Sequence, residues 1–182
     1  KSGGPLLINQ PYSNVGVGTV IEDTLYLHCQ AADTFYFRIH ADGCFSYSFS
    51  YDIVPPTYPN DAEPNNTFAE ADTMSQGVVK TGHIEYNGGT VEDEYDYYQT
   101  ILPENGTLRI FLNSVNTSNS GGADFYFYGY NKSGGPLLIN QPYSNVGVGT
   151  VIEDTLYLHC QAADTFYFRI HADGCFSYSF SY

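Results

Sequence analysis

Apolar and polar residues alternate most cleanly at the end of the chain. In CFSYSFSY (Cys175–Tyr182), Phe176, Tyr178, Phe180 and Tyr182 fall on one side, with Ser177, Ser179 and Ser181 on the other. A period of two is that of a strand with one buried face. TLRIFLN (Thr107–Asn113) and ADFYFYGY (Ala123–Tyr130) are rich in aromatic and branched residues and are bounded by Asn-Gly or Gly-Gly turns. TLYLHCQ (Thr155–Gln161) and DTFYFRIH (Asp164–His171) follow at regular spacing, and Ala172-Asp173-Gly174 supplies a turn in which Gly174 can take positive φ. Only TFAEADTM (Thr67–Met74) has helical character, enough for one or two turns. Many short strands joined by short turns predict an all-β fold, an antiparallel β-sandwich or jelly-roll-like domain.

The pattern is also repeated. Residues 1–51 and 132–182 are identical at every position, an offset of 131 residues. A unit of that length is a domain with its own core, far longer than a solenoid repeat. The expected organisation is the C-terminal part of a first repeat (1–51), a Pro-rich linker and lead-in (52–64), and a complete second sandwich (65–182), with 52–182 as the repeat unit. In DIVPPTYPNDAEPNN, four prolines hold the backbone extended and helix-free, so the linker reads as a semi-rigid spacer. The repeated KSGGPLLINQPYSNVGVG reads as a Gly-rich turn and extended segment after ADFYFYGY, and its place at residue 1 as the point where a periodic polymer is cut.

Composition narrows the setting. Acids outnumber bases 20 to 6, for a formal charge of −14, which makes nucleic acid and anionic membranes poor partners and divalent cations good ones. Between Asp52 and Asp96 ten acids face a single base, Lys80. No apolar run approaches the roughly 18 residues of a membrane span. The first residues carry no signal-peptide pattern, but the sequence starts inside a unit, which is compatible with a leader that has been removed. An even, repeated pair of cysteines per unit, with abundant Gly, Asn, Ser and Tyr, points to an oxidising extracellular or cell-surface location.

Five segments carry a family resemblance. DAEPNNTFAEAD, EYDYYQ, GTLRIFL, ADFYFYGY and DTFYFRIHADGCFSYSFSY, in that order, resemble the bacterial pre-peptidase C-terminal domain family. Its pattern is an E-P-N-[DN]-[ST] lead-in, a D-x-D-[YW]-[YF] strand, a G-x-L-x-[IV] strand, an aspartate before an aromatic strand, and a closing Y-x-[IV] hairpin. Glu94 departs from it, standing where the first aspartate of D-x-D belongs. The resemblance implies a non-catalytic β-sandwich of a secreted protein. It also implies a Ca²⁺ site built from Glu63, Asn65, Asn66, Asp93 and Asp96, with Asp61 alongside; Asn66 replaces a carboxylate of such sites and lowers the expected affinity.

The residues' own chemistry agrees. Ca²⁺ takes six to eight oxygens from carboxylates, amides and backbone. Asp61, Glu63, Asn65 and Asn66 offer such oxygens on a proline-stiffened segment, while Glu92, Asp93, Glu94 and Asp96 crowd the start of a strand, where like charges repel. A divalent ion would relieve that repulsion and pin the linker to the sandwich; the competing reading is a solvated acidic surface.

Cys160 and Cys175, and their counterparts Cys29 and Cys44, are expected to form disulfides, each closing a loop worth roughly 3 kcal/mol. The parity of Cys175 with the serines, against that of Cys160 with Leu156 and Leu158, then requires a bulge near Cys175 or pairing between units. Zinc held with His159 and His171 is the alternative, although no C-x-x-C knuckle is present. Asn65, Asn105, Asn116 and Asn131 begin N-x-[ST] sequons, candidates for glycosylation. No G-x-S-x-G supports a nucleophile, and His83 reads as a solvent-facing or hydrogen-bonded residue. Surplus tyrosines could stack on sugars or on a neighbouring unit.

The expected function is a structural or adhesive bead of an extracellular tandem-repeat fibre, stalk or adhesin, partnered by neighbouring copies and stabilised by Ca²⁺, with no enzymatic activity. The alternative is a binding domain of a secreted hydrolase that recognises carbohydrate or a fibrous protein.

Overall fold

The computed structural model describes residues 10–13, 15–23, 36–53, 57–84, 94–118, 122–132 and 134–182, with only the backbone of Cys160. The chain folds as an all-β sandwich. Its strands are β1 (Asp72–Thr73), β2 (Lys80–Ile84), β3 (Tyr95–Ile101), β4 (Gly106–Asn116) and β5 (Gly122–Tyr130). They continue with β6 (Leu137–Gly147), β7 (Val151–Gln161), β8 (Thr165–Asp173) and β9 (Phe176–Ser181). One sheet has the order β1-β3-β8-β5-β6 and the other β2-β9-β4-β7. All pairings are antiparallel except the short β1–β3 contact.

Alternation decides which side chains enter the core. Phe166, Phe168, Ile170 and Ala172 of β8 and Ala123, Phe125 and Phe127 of β5 face Leu108, Ile110 and Leu112 of β4 and Phe176, Tyr178 and Phe180 of β9. Two face-to-face sheets with interdigitated inner rows are the usual way to bury such strands. Gly174 has φ +134°, and a Cβ there would lie 2.7 Å from Ala123 Cβ, so the β8–β9 turn needs glycine for conformation and for space.

Two expectations are corrected. Thr67–Met74 is not helical: Glu70 N–H closes a single turn on Thr67 C=O (3.1 Å), after which Asp72–Thr73 pairs with Tyr98–Gln99 as β1. Sheet pairing takes the backbone groups a second helical turn would have used. Strand β9 is not half-buried either, because Ser177 and Ser179 are buried along with the aromatic face. The lead-in lies over them, with Tyr58 N–H donating to Ser177 Oγ at 2.9 Å.

The first repeat copy takes a different state. Residues 36–53 contain no strand and are exposed throughout. Phe45, Tyr47 and Phe49 are 56, 69 and 59% exposed, whereas their counterparts Phe176, Tyr178 and Phe180 are at 0, 0 and 1%. The 182 residues hold two copies of the β6–β9 sequence and one of residues 52–131, which supplies β1–β5.

Candidate metal centre

Three carboxyl groups meet where the proline-rich lead-in crosses β3. One oxygen each from Asp61, Glu63 and Asp96 lies within 4.8 Å of the other two. The backbone brings them together in two ways. Asn65 C=O accepts Tyr97 N–H at 2.9 Å, tying the lead-in to β3, and alternation along β3 turns Asp96 inward with Tyr98. Asp96 is fully buried, Asp61 partly so, and Glu63 faces solvent.

Two tyrosines floor the site. Tyr98 Oη donates to Asp61 Oδ2 at 2.5 Å and Tyr178 Oη to Asp96 Oδ2 at 2.5 Å, while the two hydroxyls are 2.6 Å apart. Burial first, and the nearby Asp61 and Asp96 carboxyls second, push the Tyr98 hydroxyl well above its ordinary pKa. Burial and Asp96 do the same to Tyr178. Both stay protonated and act as donors only to these oxygens. Gly82 on β2 makes the room: a Cβ there would lie 2.2 Å from Tyr178 Oη.

The lead-in completes the shell. Asn65 is fully buried, and its Nδ2 donates to Asp61 Oδ2 at 2.6 Å. Glu63 Oε2 accepts Asn65 N–H at 3.1 Å and Asn66 Nδ2 at 3.3 Å. Asp61 Oδ1 and the Asn65 side-chain oxygen are buried with no hydrogen-bond partner among the described residues. A buried acceptor left unmatched costs about 1–3 kcal/mol, so two together beside three converging carboxyls call for a ligand that bonds oxygen. The donor set is all oxygen, with no thiol or imidazole, which suits a hard cation such as Ca²⁺ better than zinc.

Of the sequence candidates, Asp61, Glu63, Asn65 and Asp96 therefore converge, Asn66 sits at the rim against Glu63, and Asp93 falls outside the described residues. Tyr98, Tyr178 and Gly82 went unpredicted, although Tyr98 shares strand parity with Asp96 and that alone could have flagged it.

The other candidates divide. His159 lies on β7 in one sheet and His171 on β8 in the other, so the structure does not bring them together for zinc. His171 Nδ1 pairs with Glu94 C=O at 3.0 Å, and its ring stacks on Tyr95 and Tyr126. His83 is buried; its N–H donates to Asn60 Oδ1 at 2.9 Å and its ring Nε2 pairs with Tyr58 C=O. Cys44 is an exposed free thiol, contrary to the expected bridge, because its segment lacks the strands that would fix a partner beside it. Cys175 is buried and is not a free thiol. Cys29 and the Cys160 side chain lie outside the described residues. Asn65 and Asn116 are buried, with Asn116 Nδ2 donating to Val146 C=O at 2.6 Å. Neither can carry a glycan in the folded sandwich, which leaves Asn105 and Asn131 as sequon candidates.

No protein-family model and no curated protein matches the sequence. Among solved structures, the chain is similar to the pre-peptidase C-terminal domain of a collagenase from Bacillus anthracis. The identity is 14% and the TM-score 0.39, over 66% of this chain and 98% of that one. It is also similar to a carbohydrate-binding module of lichenase 5A from Cellvibrio mixtus, solved with cellotriose. There the identity is 18% and the TM-score 0.32, over 61% of this chain and 92% of that one. Similarity at this level assigns neither a family nor an activity. Among the described residues, no helix is long and apolar enough to cross a membrane.

Proposed function

We propose that the chain is a stretch of an extracellular tandem array of β-sandwich beads with a structural or adhesive role, in which Ca²⁺ pins each lead-in to its bead. The observation that carries this reading is the position of the oxygen cluster. Asp61 and Glu63 belong to the connector between repeats, and Asp96 belongs to the sandwich. A cation held by both would stiffen the joint between consecutive beads, which is what a fibre or stalk under load requires. Exact identity over 51 residues supports the array, since copies kept for separate tasks diverge. The role is non-catalytic: hydroxyl and amide donors hold the carboxyl groups as a ligand cage holds them, not as an acid–base pair is poised.

The test is thermal unfolding of the full chain in millimolar Ca²⁺ and in EDTA. The expected outcome is a higher melting temperature with Ca²⁺, and superimposed curves would reject the pin.

The alternative, an accessory domain that binds glycans, draws on the outer face of the five-stranded sheet. There Tyr126 stacks on Tyr128 at 6.0 Å and on His171 at 5.4 Å, and Arg169 lies 4.2 Å over the Tyr128 ring. Rings stacked on one another offer edges, not faces, to a ligand. Phe68 from the lead-in turn also packs edge-on against Tyr97, Tyr130 and Tyr167. The face is largely spent on its own cohesion, which favours the structural reading.

A further inference from the structure

On the outer face of the five-stranded sheet, the β5–β8 register sets Asp124 beside Asp173, Tyr126 beside His171 and Tyr128 beside Arg169. The Tyr126 ring stacks on Tyr128 at 6.0 Å and 8°, and on His171 at 5.4 Å and 19°. Its hydroxyl donates to Asp124 Oδ2 at 3.0 Å. Asp124 is itself held in place, since Asn145 N–H donates to its Oδ1 at 2.7 Å. A neutral phenol gives up an electron far more readily when a base takes its proton at the same time, and here the base is already in position. We propose that Tyr126 is a site of oxidative cross-linking, at which two copies of this chain are joined by a dityrosine bond when a peroxide-driven one-electron oxidant acts on them. The site stands apart from the cation at the lead-in and does not depend on it.

The chemistry closes. Each Tyr126 gives one electron to the oxidant and its hydroxyl proton to Asp124, leaving a neutral phenoxyl radical. Two radicals couple through ring carbons beside the oxygens, and the two displaced ring hydrogens move as protons to those oxygens, restoring both hydroxyls. The two electrons and the two protons first released reduce one hydrogen peroxide to two waters.

Charge selects Tyr126 within its array. Asp124 and Asp173 stand at its end of the face, where negative charge favours loss of an electron. Arg169 lies 4.2 Å over the Tyr128 ring and 5.4 Å over Tyr95, and a fixed cation opposes oxidation there. The hydrogen bond to Asp124, more than any other contact, holds the Tyr126 hydroxyl above its ordinary pKa, so it keeps its proton until it is oxidised. Stacking that spends the ring faces leaves the edges outward, and the edges carry the carbons that couple. Tyr98 and Tyr178 also donate to carboxylates, but both are fully buried and out of reach of another chain.

The test treats the full chain with peroxidase and hydrogen peroxide, and follows dityrosine fluorescence, denaturant-resistant dimer and the identity of the cross-linked peptide. The expected product is a dimer mapped to Tyr126, lost in Tyr126→Phe. It should persist in Tyr157→Phe, which removes a ring that is 50% exposed and stacked on His159. Asp124→Asn keeps an acceptor for Asn145 N–H but loses the base, so dimer should form about tenfold more slowly or worse. Its rate should also climb with pH as solvent takes over the proton, whereas the parent rate stays flat near neutrality. Cross-links spread over the tyrosines according to exposure would overturn the proposal, as would a Tyr126→Phe chain that dimerises like the parent. An Asp124→Asn chain with the parent's rate and pH profile would overturn it equally.

Discussion

Residues 36–51 and 167–182 have the same sequence and opposite fates. The second copy forms β8 and β9, whose aromatic residues are among the most deeply buried in the molecule; the first copy contains no strand and exposes the same side chains. Intrinsic strand propensity is equal in the two by construction, so it cannot explain the difference. What differs is access to β2, β3, β4 and β5, which pair with β8 and β9 on both sides. Strand propensity here is a capacity to fit a half-buried surface, realised only when the neighbouring strands exist.

The comparison can be broken first at a residue present once. Phe125 has no second copy and is fully buried against Phe176 and Tyr143. Phe125→Ala should cost about 3–5 kcal/mol in denaturant unfolding, whereas Phe49→Ala should stay below about 0.5. Equal costs would show that the first copy belongs permanently to the core.

Alkaline pH tests the tyrosine floor that the second copy shares with β3. Tyr98 and Tyr178 titrate above their ordinary value of 10.0 when folded. Above pH 10 the unfolded chain therefore releases tyrosine protons that the folded chain keeps. The stabilisation is complete below pH 10 and is lost as pH rises, by about 1.4 kcal/mol per pH unit for each tyrosine. Tyr98→Phe should flatten this fall, and an unchanged slope would place these hydroxyls in solvent.

Gly82→Ala comes next. Its Cβ would collide with the Tyr178 hydroxyl. A loss of about 1–3 kcal/mol is expected. The smallest effect is at the lead-in: Asp61→Asn should change stability in EDTA by less than about 1 kcal/mol, because one repelling charge is removed along with one acceptor. The same variant should abolish any rise in melting temperature on adding Ca²⁺. Retention of the full rise would exclude Asp61 from the cation's ligands.

Much of the sandwich was legible in the period-two runs, because β4, β5, β7, β8 and β9 each bury one row of aromatic or branched residues. The β1 pairing was hidden behind an alanine- and glutamate-bearing stretch whose local preference is helical and whose backbone bonds are claimed by β3. The acids of the site were legible from crowding alone. The tyrosines were not, since a hydroxyl on a core-facing aromatic looks like any other core residue until the fold shows what it meets. Gly82 escaped for a related reason, as the side chain that needs its missing Cβ lies 96 positions away in sequence. The divergent fates of the two copies could not be read from local sequence, because local sequence is what they share.

The most direct test of this account gives the first copy the same flanking strands as the second. A second copy of residues 52–131 placed ahead of residue 1 produces a chain of two full units, in which amide hydrogen exchange can be read at Phe45–Phe49 and at Phe176–Phe180. The account predicts equal, strong protection in the two segments. Persistent rapid exchange at Phe45–Phe49 beside a protected Phe176–Phe180 would contradict it.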